Sequence, residues 1–362
     1  MTATMQRGFT LIELMISLIL GLLISAAALQ IFYTNTLSAN IQKAGSNVVD
    51  NNAFGMDYLT KQIRKANYGA MSDGTNGAFF LNHLTPQGGI VLTAPSELTT
   101  FYNTVTVNNK DEQFPSNLRG LSKNNALISG NLLTRSESVN SSSSVVSGTS
   151  ALQSDQLTIQ YQVPMDNQSD CQGRNVMKDD YVIERYFVRD GGLACSSAIY
   201  TYSETVAKKD ATNQNAINID KYKKPSATDP KVREATDTDQ NLAGNGEIII
   251  PNVDYFRVLL GVSDSKEFST KPNTYKLTYM PIPTPVTTAK ADPFPTLTGN
   301  RIVNIQIGLL MRSDSSVTAS EDPSFDVLDK TGLTLNDSSK NDGKMRRVLQ
   351  TTVFLRNARG TV

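Results

Sequence analysis

The fold is decided by Phe9–Leu29, whose sequence FTLIELMISLILGLLISAAAL is a run of 21 residues with a single charge at Glu13. As an α-helix this run extends over about 32 Å, which is long enough to cross a bilayer. The residues before it carry one side-chain charge, Arg7. Because positive residues stay on the cytoplasmic side, this arrangement places residues 1–8 in the cytoplasm and the bulk of the chain outside it.

Three ways of processing this segment are compatible with the sequence. A secretory signal would be cut after the small residues Ala26–Ala28, and an uncleaved anchor would keep the whole apolar run. Neither provides a cation for Glu13, although a carboxylate in a membrane helix costs up to about 3 kcal/mol at the bilayer centre. Cleavage between Gly8 and Phe9 would provide one, because the new α-amino group lies one helical turn from Glu13 and the amine of a neighbouring chain could neutralise the carboxylate.

The motif GFTLIEL at Gly8–Leu14 resembles the class III signal of type IV pilins and type II secretion pseudopilins. The resemblance implies that a prepilin peptidase, a membrane aspartyl protease, cuts after Gly8 and that the new N-terminal Phe9 is then methylated. It also implies that Glu13 aligns subunits in a filament through the amine of a neighbouring subunit. On this interpretation the chain spans the inner membrane once before assembly, with its head in the periplasm.

Helical character continues beyond the apolar run, and the sequence contains no proline before Pro86. Cations near Arg64 and the glycine at position 69 predict a helix from Phe9 to about Asn67, with Gly69 as its stop. Apolar residues of the second half recur at helical spacing, which predicts one face packed on a head domain. These residues are Leu37, Ile41, Ala44, Val48, Leu59 and Ile63. The predicted divisions are a leader at 1–8, a transmembrane and filament-core helix at 9–30, an amphipathic continuation at 31–69 and a β-rich periplasmic head at 70–362.

Beyond residue 70 the apolar period changes from helical to alternating, which is typical of half-buried β-strands. The patterns lie at Leu157–Val163, Val303–Met311, Phe101–Val107, Ile183–Phe187 and Phe256–Leu260. Polar or proline-rich segments between them predict surface loops or insertions. These segments are Thr134–Ser150, Lys208–Asn245 and Pro281–Pro295. The predicted fold class is α+β and pilin-like, with one long helix whose outer half packs on an antiparallel β-rich head.

The two cysteines, Cys171 and Cys195, flank the strand candidate at Tyr181–Val188. Outside the cytoplasm an isolated pair favours a disulfide over two free thiols, and the absence of a C-x-x-C spacing argues against a redox pair. Closing a loop of this length would contribute about 3.5 kcal/mol in the chain-entropy model. We predict a structural disulfide between Cys171 and Cys195.

Composition argues against most catalytic and metal-dependent functions. Lys and Arg number 34, as do Asp and Glu, so the zero net charge gives no field that draws the molecule to nucleic acid, and we predict no direct nucleic-acid binding. With His83 as the single histidine and two cysteines, the sequence predicts no metal site and no cofactor. No G-x-S-x-G, P-loop or H-E-x-x-H motif occurs, so we predict that the protein is not an enzyme.

A segment at 237–248 partly copies a calcium loop. Asp237, Asp239 and Asn241 occupy the first three ligand positions of such a loop. Leu242 and Ile248 stand where the loop requires a glycine and a bidentate glutamate, so the sequence favours a solvated loop.

The C-terminal segment Lys340–Arg359 is basic, with six cations and one acid, Asp342. Such a segment could attract phosphate or an acidic partner surface. Because no aromatic stacking ladder accompanies the cations, we predict a solvated strand edge.

The same C-terminal segment indicates which kind of pilin the chain resembles. MRRVLQTTVFLRNARG at Met345–Gly360 is similar to the closing strand of PilW-type minor pilins and of the type II secretion minor pseudopilin J, and Asp170–Cys195, from DCQG to GGLAC, also resembles the PilW type. The resemblance implies a low-abundance subunit that primes type IV pilus assembly and sits at the pilus tip. The implied partners are PilV-, PilX- and FimU-like minor pilins, the major pilin and a PilY-type tip adhesin, in pili that serve twitching motility, adhesion and, in some bacteria, DNA uptake.

Two other functions remain open on the sequence. A J-type pseudopilin shares the leader, the helix and a β-rich head, although the length and the cysteine stretch favour the pilus. A membrane-anchored or secreted periplasmic enzyme or binding protein would require a substrate pocket around His83.

Overall fold

The structure, a computed structural model, describes most of the N-terminal helix and the centre of the head. The described residues are 8, 10–69, 89–92, 105–107, 110–112, 132–178, 180–200, 223–225, 233–236, 242–264, 276–283, 300–317 and 324–355. The residues of the sequence predictions that lie outside these ranges include Phe9, His83, Phe101, Asp237, Asp239, Asn241, Arg356 and Arg359.

Helix α1 extends from Leu11 to Ile63 and begins at a polar cap. Thr10 is extended, with φ −75° and ψ 148°, and its hydroxyl accepts a hydrogen bond from Glu13 N at 3.3 Å. A threonine in this position satisfies one of the amides that the first helical turn leaves unpaired. The 53 residues of α1 contain no proline, so the helix continues for a length of about 80 Å.

Helix α1 ends earlier than predicted, and Asn67 rather than Gly69 turns the chain. The last turn tightens after Ile63, where Ala66 N donates to Ile63 O at 3.0 Å. Asn67 then adopts φ 61°, and its amide donates to Gln160 O at 3.0 Å. Asparagine is one of the few residues besides glycine that adopt this left-handed conformation readily. The predicted stop at Gly69 is therefore wrong by two positions.

The head consists of short and long β-strands with one short helix, α2 (Asp337–Lys340). In chain order the described strands are β1 (Val105–Val107), β2 (Lys110–Glu112), β3 (Val145–Ser147), β4 (Ser150–Ala151), β5 (Leu157–Gln162), β6 (Gln168–Ser169), β7 (Asn175–Val176), β8 (Tyr181–Arg189), β9 (Gly192–Tyr200), β10 (Lys223–Pro225), β11 (Arg233–Thr236), β12 (Glu247–Pro251), β13 (Val253–Asp264), β14 (Leu277–Pro281), β15 (Asn300–Ser316), β16 (Phe325–Val327), β17 (Lys330–Leu335) and β18 (Lys344–Phe354).

Twelve of the described strands form three four-stranded antiparallel sheets. We call them the first sheet, in the order β12-β9-β8-β5, the central sheet, β14-β13-β15-β18, and the cover sheet, β16-β17-β3-β4. Three further strand pairs, β1–β2, β6–β7 and β10–β11, stand apart from them. The α+β class with one long helix and an antiparallel β-rich head is therefore confirmed.

The outer half of α1 packs on the first and central sheets. Leu59 and Ile63 are fully buried, and a Cβ added at Gly55 would lie 2.9 Å from the side chain of Ile250 in β12. The alternation predicted in β13 and β15 is confirmed on this side of the central sheet, where the core residues include Phe256, Val258, Leu260, Ile305, Ile307 and Leu309. Burying each large apolar side chain contributes about 1.5–3 kcal/mol, so this interface holds the helix on the head.

The face of α1 that contacts the head begins at Ala44. Of the six apolar positions predicted to pack, four are buried, namely Ala44, Val48, Leu59 and Ile63. Leu37 is only half-buried and Ile41 is 38% exposed. The helix therefore has an apolar half without contacts to the described head and an amphipathic half that is part of the core.

The cover sheet buries the opposite face of the central sheet. A second apolar cluster forms between these two sheets, with the members Val145, Leu152, Tyr255, Leu310, Phe325, Val327, Leu333 and Leu335. The central sheet is therefore covered on both faces, by α1 on one side and by the cover sheet on the other.

Arg257 of β13 joins the central sheet to the cover sheet. Its guanidinium donates to both carboxylate oxygens of Asp329, at 2.8 and 2.6 Å, and to Asp155 Oδ1 at 3.2 Å. Asp155 is fully buried and also accepts from the amides of Glu137 and Val258, at 3.0 and 2.8 Å. Burial raises the pKa of Asp155, and Arg257 and these amides oppose that shift by stabilising the carboxylate.

Strand β5 is not half-buried as its alternation predicts, because every residue of Leu157–Gln162 is buried. Additional chain lies against its polar side. Val91 N donates to Thr158 O at 2.8 Å, and Thr158 Oγ1 donates to Leu132 O at 2.6 Å. The polar residues of this strand therefore bond to neighbouring backbone instead of water.

The segment Thr134–Ser150, predicted as a surface loop, is built into the head. Its residues Val145–Ser147 form β3, which pairs with β17 in the cover sheet. Ser141 is fully buried, and its hydroxyl donates to Asp155 O at 3.0 Å and accepts from Val188 N at 2.9 Å. A hydroxyl can both donate and accept a hydrogen bond. The Ser141 hydroxyl therefore pairs with backbone groups of neighbouring chain that a regular strand would otherwise pair.

The two other predicted loops lie largely outside the described residues. Within Lys208–Asn245 the structure has the strand pair β10–β11, and Leu242 is fully buried. Within Pro281–Pro295 it has the end of β14 and the buried residue Ile282.

Candidate assembly site

The N-terminal half of α1 is a long apolar surface. The candidate membrane span Leu11–Val48 has a mean hydropathy of 2.4 over its most apolar 18 residues. None of these 18 residues is buried against the described head. From Leu11 to Phe32 the large apolar side chains are all more than half exposed. A helix surface of this kind is stable in lipid or against other apolar helices.

Gly8 and Glu13 lie at the exposed start of this helix. Glu13 is in the first turn, where the positive end of the helix dipole favours a carboxylate. Within the described residues its carboxylate has no hydrogen-bond or ion-pair partner, since the bonds of Glu13 to Thr10 are made by its backbone amide. Cleavage after Gly8, methylation of Phe9 and the alignment of subunits by Glu13 stay predictions.

At the other end, α1 is hydrogen-bonded to the loop that carries Cys171. Tyr58 Oη donates to Cys171 O at 3.0 Å, and Lys65 Nζ donates to Ser169 O at 3.1 Å. The Lys65 ammonium also lies 5.3 Å from the ring centroid of Tyr161, within the range of a cation–π contact. Burial lowers the pKa of Lys65, and the nearby acidic side chains oppose that shift.

The predicted disulfide between Cys171 and Cys195 is confirmed. It joins the loop between β6 and β7 to β9, and the two Cα atoms are 6.1 Å apart. Both cysteines are buried in the main core. The disulfide therefore ties the loop that contacts α1 to the first sheet by a covalent bond.

The DCQG stretch folds into a turn around the Asp170 carboxylate. Asp170 Oδ1 accepts from the amides of Gln172 and Arg174, both at 2.9 Å. Asp170 Oδ2 accepts from Arg174 Nε at 2.8 Å and from Ser197 Oγ at 2.6 Å. Gly173 has φ 77°, a left-handed conformation that glycine adopts without strain. The aspartate and the glycine of this stretch are thus explained by the turn, because the hydrogen bonds to Asp170 and the left-handed Gly173 hold Cys171 in place.

A buried carboxylate, Glu184 of β8, lies beneath this loop. Its Oε1 accepts from Tyr161 Oη at 2.8 Å and from Cys171 N at 2.9 Å, and its Oε2 accepts from Tyr186 Oη at 2.5 Å. Burial raises the pKa of Glu184, while Lys65 and the two tyrosine hydroxyls oppose the shift. The sequence did not predict this cluster, because its members come from β5, from β8 and from the loop that carries Cys171.

The basic C-terminal segment forms an edge strand, β18, as predicted, but one of its cations is buried. Arg346 Nε donates to Asp254 Oδ2 at 2.8 Å, and its two terminal nitrogens donate to Asp342 at 2.8 and 2.5 Å. Arg312 forms a second ion pair with Asp254. The predicted solvated edge is therefore wrong for Arg346, whose charge is neutralised inside the head.

No group of three or more His, Cys, Asp or Glu side chains that could hold a metal ion occurs among the described residues. The first positions of the calcium-like segment and His83 lie outside them. Ile248, which stands at the glutamate position of that segment, belongs to strand β12.

Comparison with known proteins supports the pilin resemblance. Residues 4–29 match the prokaryotic N-terminal methylation motif, and residues 219–357 match the family described as Type IV pilus-assembly protein W, PilW. The chain therefore carries a prepilin motif and a PilW region. Both regions predicted from GFTLIEL and from the C-terminal strand are confirmed by these matches.

The PilW match covers the whole central sheet and stops short of the disulfide. It includes β12 to β18, whereas β5, β8 and β9 of the first sheet precede it. Among solved structures, a type IV-like pilin from Thermus thermophilus is similar at 10% sequence identity and a TM-score of 0.24, over 57% of this chain and 80% of that chain. None of the curated proteins matches the sequence.

Proposed function

We propose that this protein is a minor pilin of the type IV pilus that primes filament assembly and forms part of the tip complex. The observation that carries the proposal is the prepilin motif directly before an exposed apolar helix, in a chain whose C-terminal region matches PilW. Together they favour a subunit that is held in a membrane and later packs with other subunits through α1.

In this proposal Glu13 sets the axial position of the subunit. Cleavage after Gly8 leaves an amine on Phe9, and in a filament core the Glu13 carboxylate needs a cation because it is surrounded by apolar side chains. The amine of a neighbouring subunit supplies that cation. Before assembly the same helix anchors the protein in the inner membrane with its head in the periplasm.

The partners proposed for the tip are PilV-, PilX- and FimU-like minor pilins, the major pilin and a PilY-type adhesin. The PilW match supports interaction with other pilins in pilus assembly, and the individual partners are those that the sequence resemblance implies. Twitching motility and adhesion are the functions expected of such a pilus, with DNA uptake as a further one. The role is mechanical, so we assign no reaction and no cofactor to the head.

Two experiments test the proposal: identification of the mature N-terminus and removal of the charge of Glu13. Intact-mass measurement of the protein from its own cells should show a methylated Phe9 as the first residue. Glu13→Ala should abolish recovery in sheared pili, whereas the control Thr34→Ala, also on the exposed half of α1, should leave it unchanged. A mature chain that starts at Met1 or after Ala28, or full recovery of Glu13→Ala in pili, would contradict the proposal.

Gene deletion distinguishes the pilus from a secretion system. Loss of surface pili with normal exoprotein release supports the minor pilin, whereas blocked exoprotein release with intact pili identifies a J-type pseudopilin. Both outcomes are measured in the same deletion strain, from its sheared surface pili and from the exoproteins in its culture supernatant.

A further inference from the structure

We infer that the open edge of β18 binds an extended, acidic segment of a neighbouring polypeptide, which adds a strand to the central sheet. This inference rests on the proposed function for the presence of such a neighbour, and it names the chemistry by which the neighbour is recognised. It is carried by three features of β18: unpaired backbone groups, the lack of edge protection and an unbalanced positive charge.

The first feature is a row of backbone groups that point away from the sheet. β18 pairs with β15 in an uninterrupted register from Asn304↔Phe354 to Arg312↔Arg346. Leu355 N donates to Val303 O at 3.0 Å, so the odd-numbered residues of β18 bond to β15 and the even-numbered ones face outward.

The outward residues are Val348, Gln350 and Thr352, flanked by Arg346 and Phe354. In the described structure β18 has β15 as its single strand partner, and no hydrogen bond is made by the backbone N–H or C=O of Val348, Gln350 or Thr352. Such a row is a template for a further strand.

The second feature is that β18 lacks the protection found at the other sheet edges. At the edge of the first sheet β12 is short, contains a register shift and ends in Pro251. The opposite edge, β5, is covered by chain, since Asn67 N donates to Gln160 O at 3.0 Å and Gln160 N donates to Gly89 O at 2.8 Å.

The other edge of the central sheet, β14, has five residues and ends at Pro281. β18 has eleven residues and contains neither proline nor glycine. Natural proteins shorten, bend or cover edges to prevent pairing. From Arg346 to Phe354 the register of β18 is unbroken, and among the described residues no strand pairs with its outer edge, so this stretch indicates a binding surface.

The third feature is charge. The sequence from Lys344 to Gly360 contains five Lys and Arg and no Asp or Glu. Arg346 is neutralised by Asp254 and Asp342. Arg347 is exposed, and no described residue forms an ion pair or hydrogen bond with its side chain.

The positive charge of β18 determines which kind of strand can pair with its edge. A second copy of β18 would bring its own cations next to those of the first, and like charges across a strand pair are destabilising. An acidic strand would instead place a carboxylate opposite Arg347.

The test uses the full-length chain in detergent and synthetic peptides as probes. The acidic probe alternates Thr and Val and carries two Glu, and its counterpart carries Lys at the same positions. We expect the acidic probe to bind at least about tenfold more tightly than the basic one, with an affinity that falls as salt is raised. An acidic probe N-methylated at alternate residues cannot form a strand ladder, so it should not bind.

Two substitutions test the edge from the side of the protein. Gln350→Pro removes an outward N–H without removing a bond to β15, and should weaken acidic-probe binding at least about tenfold, whereas the control Gln350→Ala should stay within about twofold. Arg347→Glu should reverse the preference in favour of the basic probe. Thermal unfolding of each variant checks the fold, and the N-methylated probe keeps the test valid should Gln350→Pro not fold.

Equal binding of the N-methylated and unmodified acidic probes would overturn the inference. So would competition by single-stranded DNA of similar length, since that result would indicate a nucleic-acid surface instead of strand addition. Should the probes fail while Glu13→Ala still abolishes recovery in pili, the edge inference falls and the proposed function stands.

Discussion

Replacing Glu184 tests whether the buried cluster beneath the disulfide loop stabilises the head through its hydrogen bonds or through its charge. The carboxylate accepts three hydrogen bonds, from Tyr161, Tyr186 and the amide of Cys171. All four residues are buried in the head. Two substitutions separate the contributions: Glu184→Ala removes the acceptors, and Glu184→Gln removes the charge while keeping the shape.

For Glu184→Ala the three donors lose their acceptor, and each unsatisfied buried donor costs about 1–3 kcal/mol. Water that enters the vacated space would satisfy some of them, so we expect a loss of about 3–5 kcal/mol in the free energy of unfolding. For Glu184→Gln the amide oxygen can accept from Tyr161 and Cys171, and the amide nitrogen can donate to Tyr186, whose hydroxyl rotates to accept. We expect this variant to lie within about 1 kcal/mol of the wild type near neutral pH.

The pH dependence identifies the contribution of the charge. Because burial raises the pKa of Glu184, the folded state binds a proton more tightly than the unfolded state does. The stabilisation by that proton is complete below the unfolded pKa of about 4.3 and is lost as pH rises through the higher folded pKa. Glu184→Gln does not titrate, so its stability relative to the wild type should increase over the same pH interval.

The measurement is urea unfolding of the full-length chain in detergent with the disulfide intact, followed by far-ultraviolet circular dichroism from about pH 4 to pH 8. The reasoning is refuted if Glu184→Gln is as destabilised as Glu184→Ala at every pH. It is also refuted if the free energy difference between Glu184→Gln and the wild type does not change with pH.

Two further predictions concern how the helix is held on the head. Replacing both Cys171 and Cys195 by Ala should lower the free energy of unfolding by about 3.5 kcal/mol, because the unfolded chain regains the entropy of the open loop; an unchanged urea midpoint would contradict this. Gly55→Val should cost about 1–3 kcal/mol and speed amide hydrogen exchange in the outer half of α1, because its Cβ would lie 2.9 Å from Ile250. Gly45→Ala, whose Cβ has an ordinary contact at 3.9 Å, is the control and should show neither effect.

Local patterns predicted the parts of the fold that depend on local chemistry. The apolar run at Phe9–Leu29 and the helical spacing after it predicted α1, and the alternation at Phe256–Leu260 predicted the face of β13 that packs on α1. Both patterns are periodic along the chain, so they are visible without knowledge of what lies opposite. The exact end of α1 was missed because Asn67 and Gly69 can each adopt the left-handed conformation, and the contact of Asn67 with Gln160 decides between them.

The second face of the central sheet could not be predicted in this way. Tyr255 and Arg257 alternate with the core residues of β13 and so resembled an exposed face, yet both are buried. They are covered because β3 pairs with β17, and these two strands are far apart in sequence. Pairing over such a distance leaves no periodic signal, and the serine-rich composition of Thr134–Ser150 hid β3 further.

In the candidate site, too, contiguous residues could be predicted from the sequence and contacts between distant residues could not. The roles of Gly8, Phe9 and Glu13 could be predicted because the three residues lie in one contiguous motif, and these roles stay predictions. The connection between α1 and the disulfide loop could not be predicted, since Tyr58 and Lys65 reach carbonyl groups more than a hundred residues away.

This connection decides how the two halves of α1 can act together. The apolar half has no contact with the described head, so in an assembled state it must be covered by lipid or by other helices. A force applied along the apolar half would be transmitted to the head by two kinds of contact. These are the buried side chains of the outer half and the hydrogen bonds of Tyr58 and Lys65 to the segment that carries Cys171. The loop is in turn joined to β9 of the first sheet by the covalent bond between Cys171 and Cys195. For the filament subunit proposed above, a disulfide at this place would secure the contact between α1 and the head, because it joins the loop that α1 contacts to the buried first sheet.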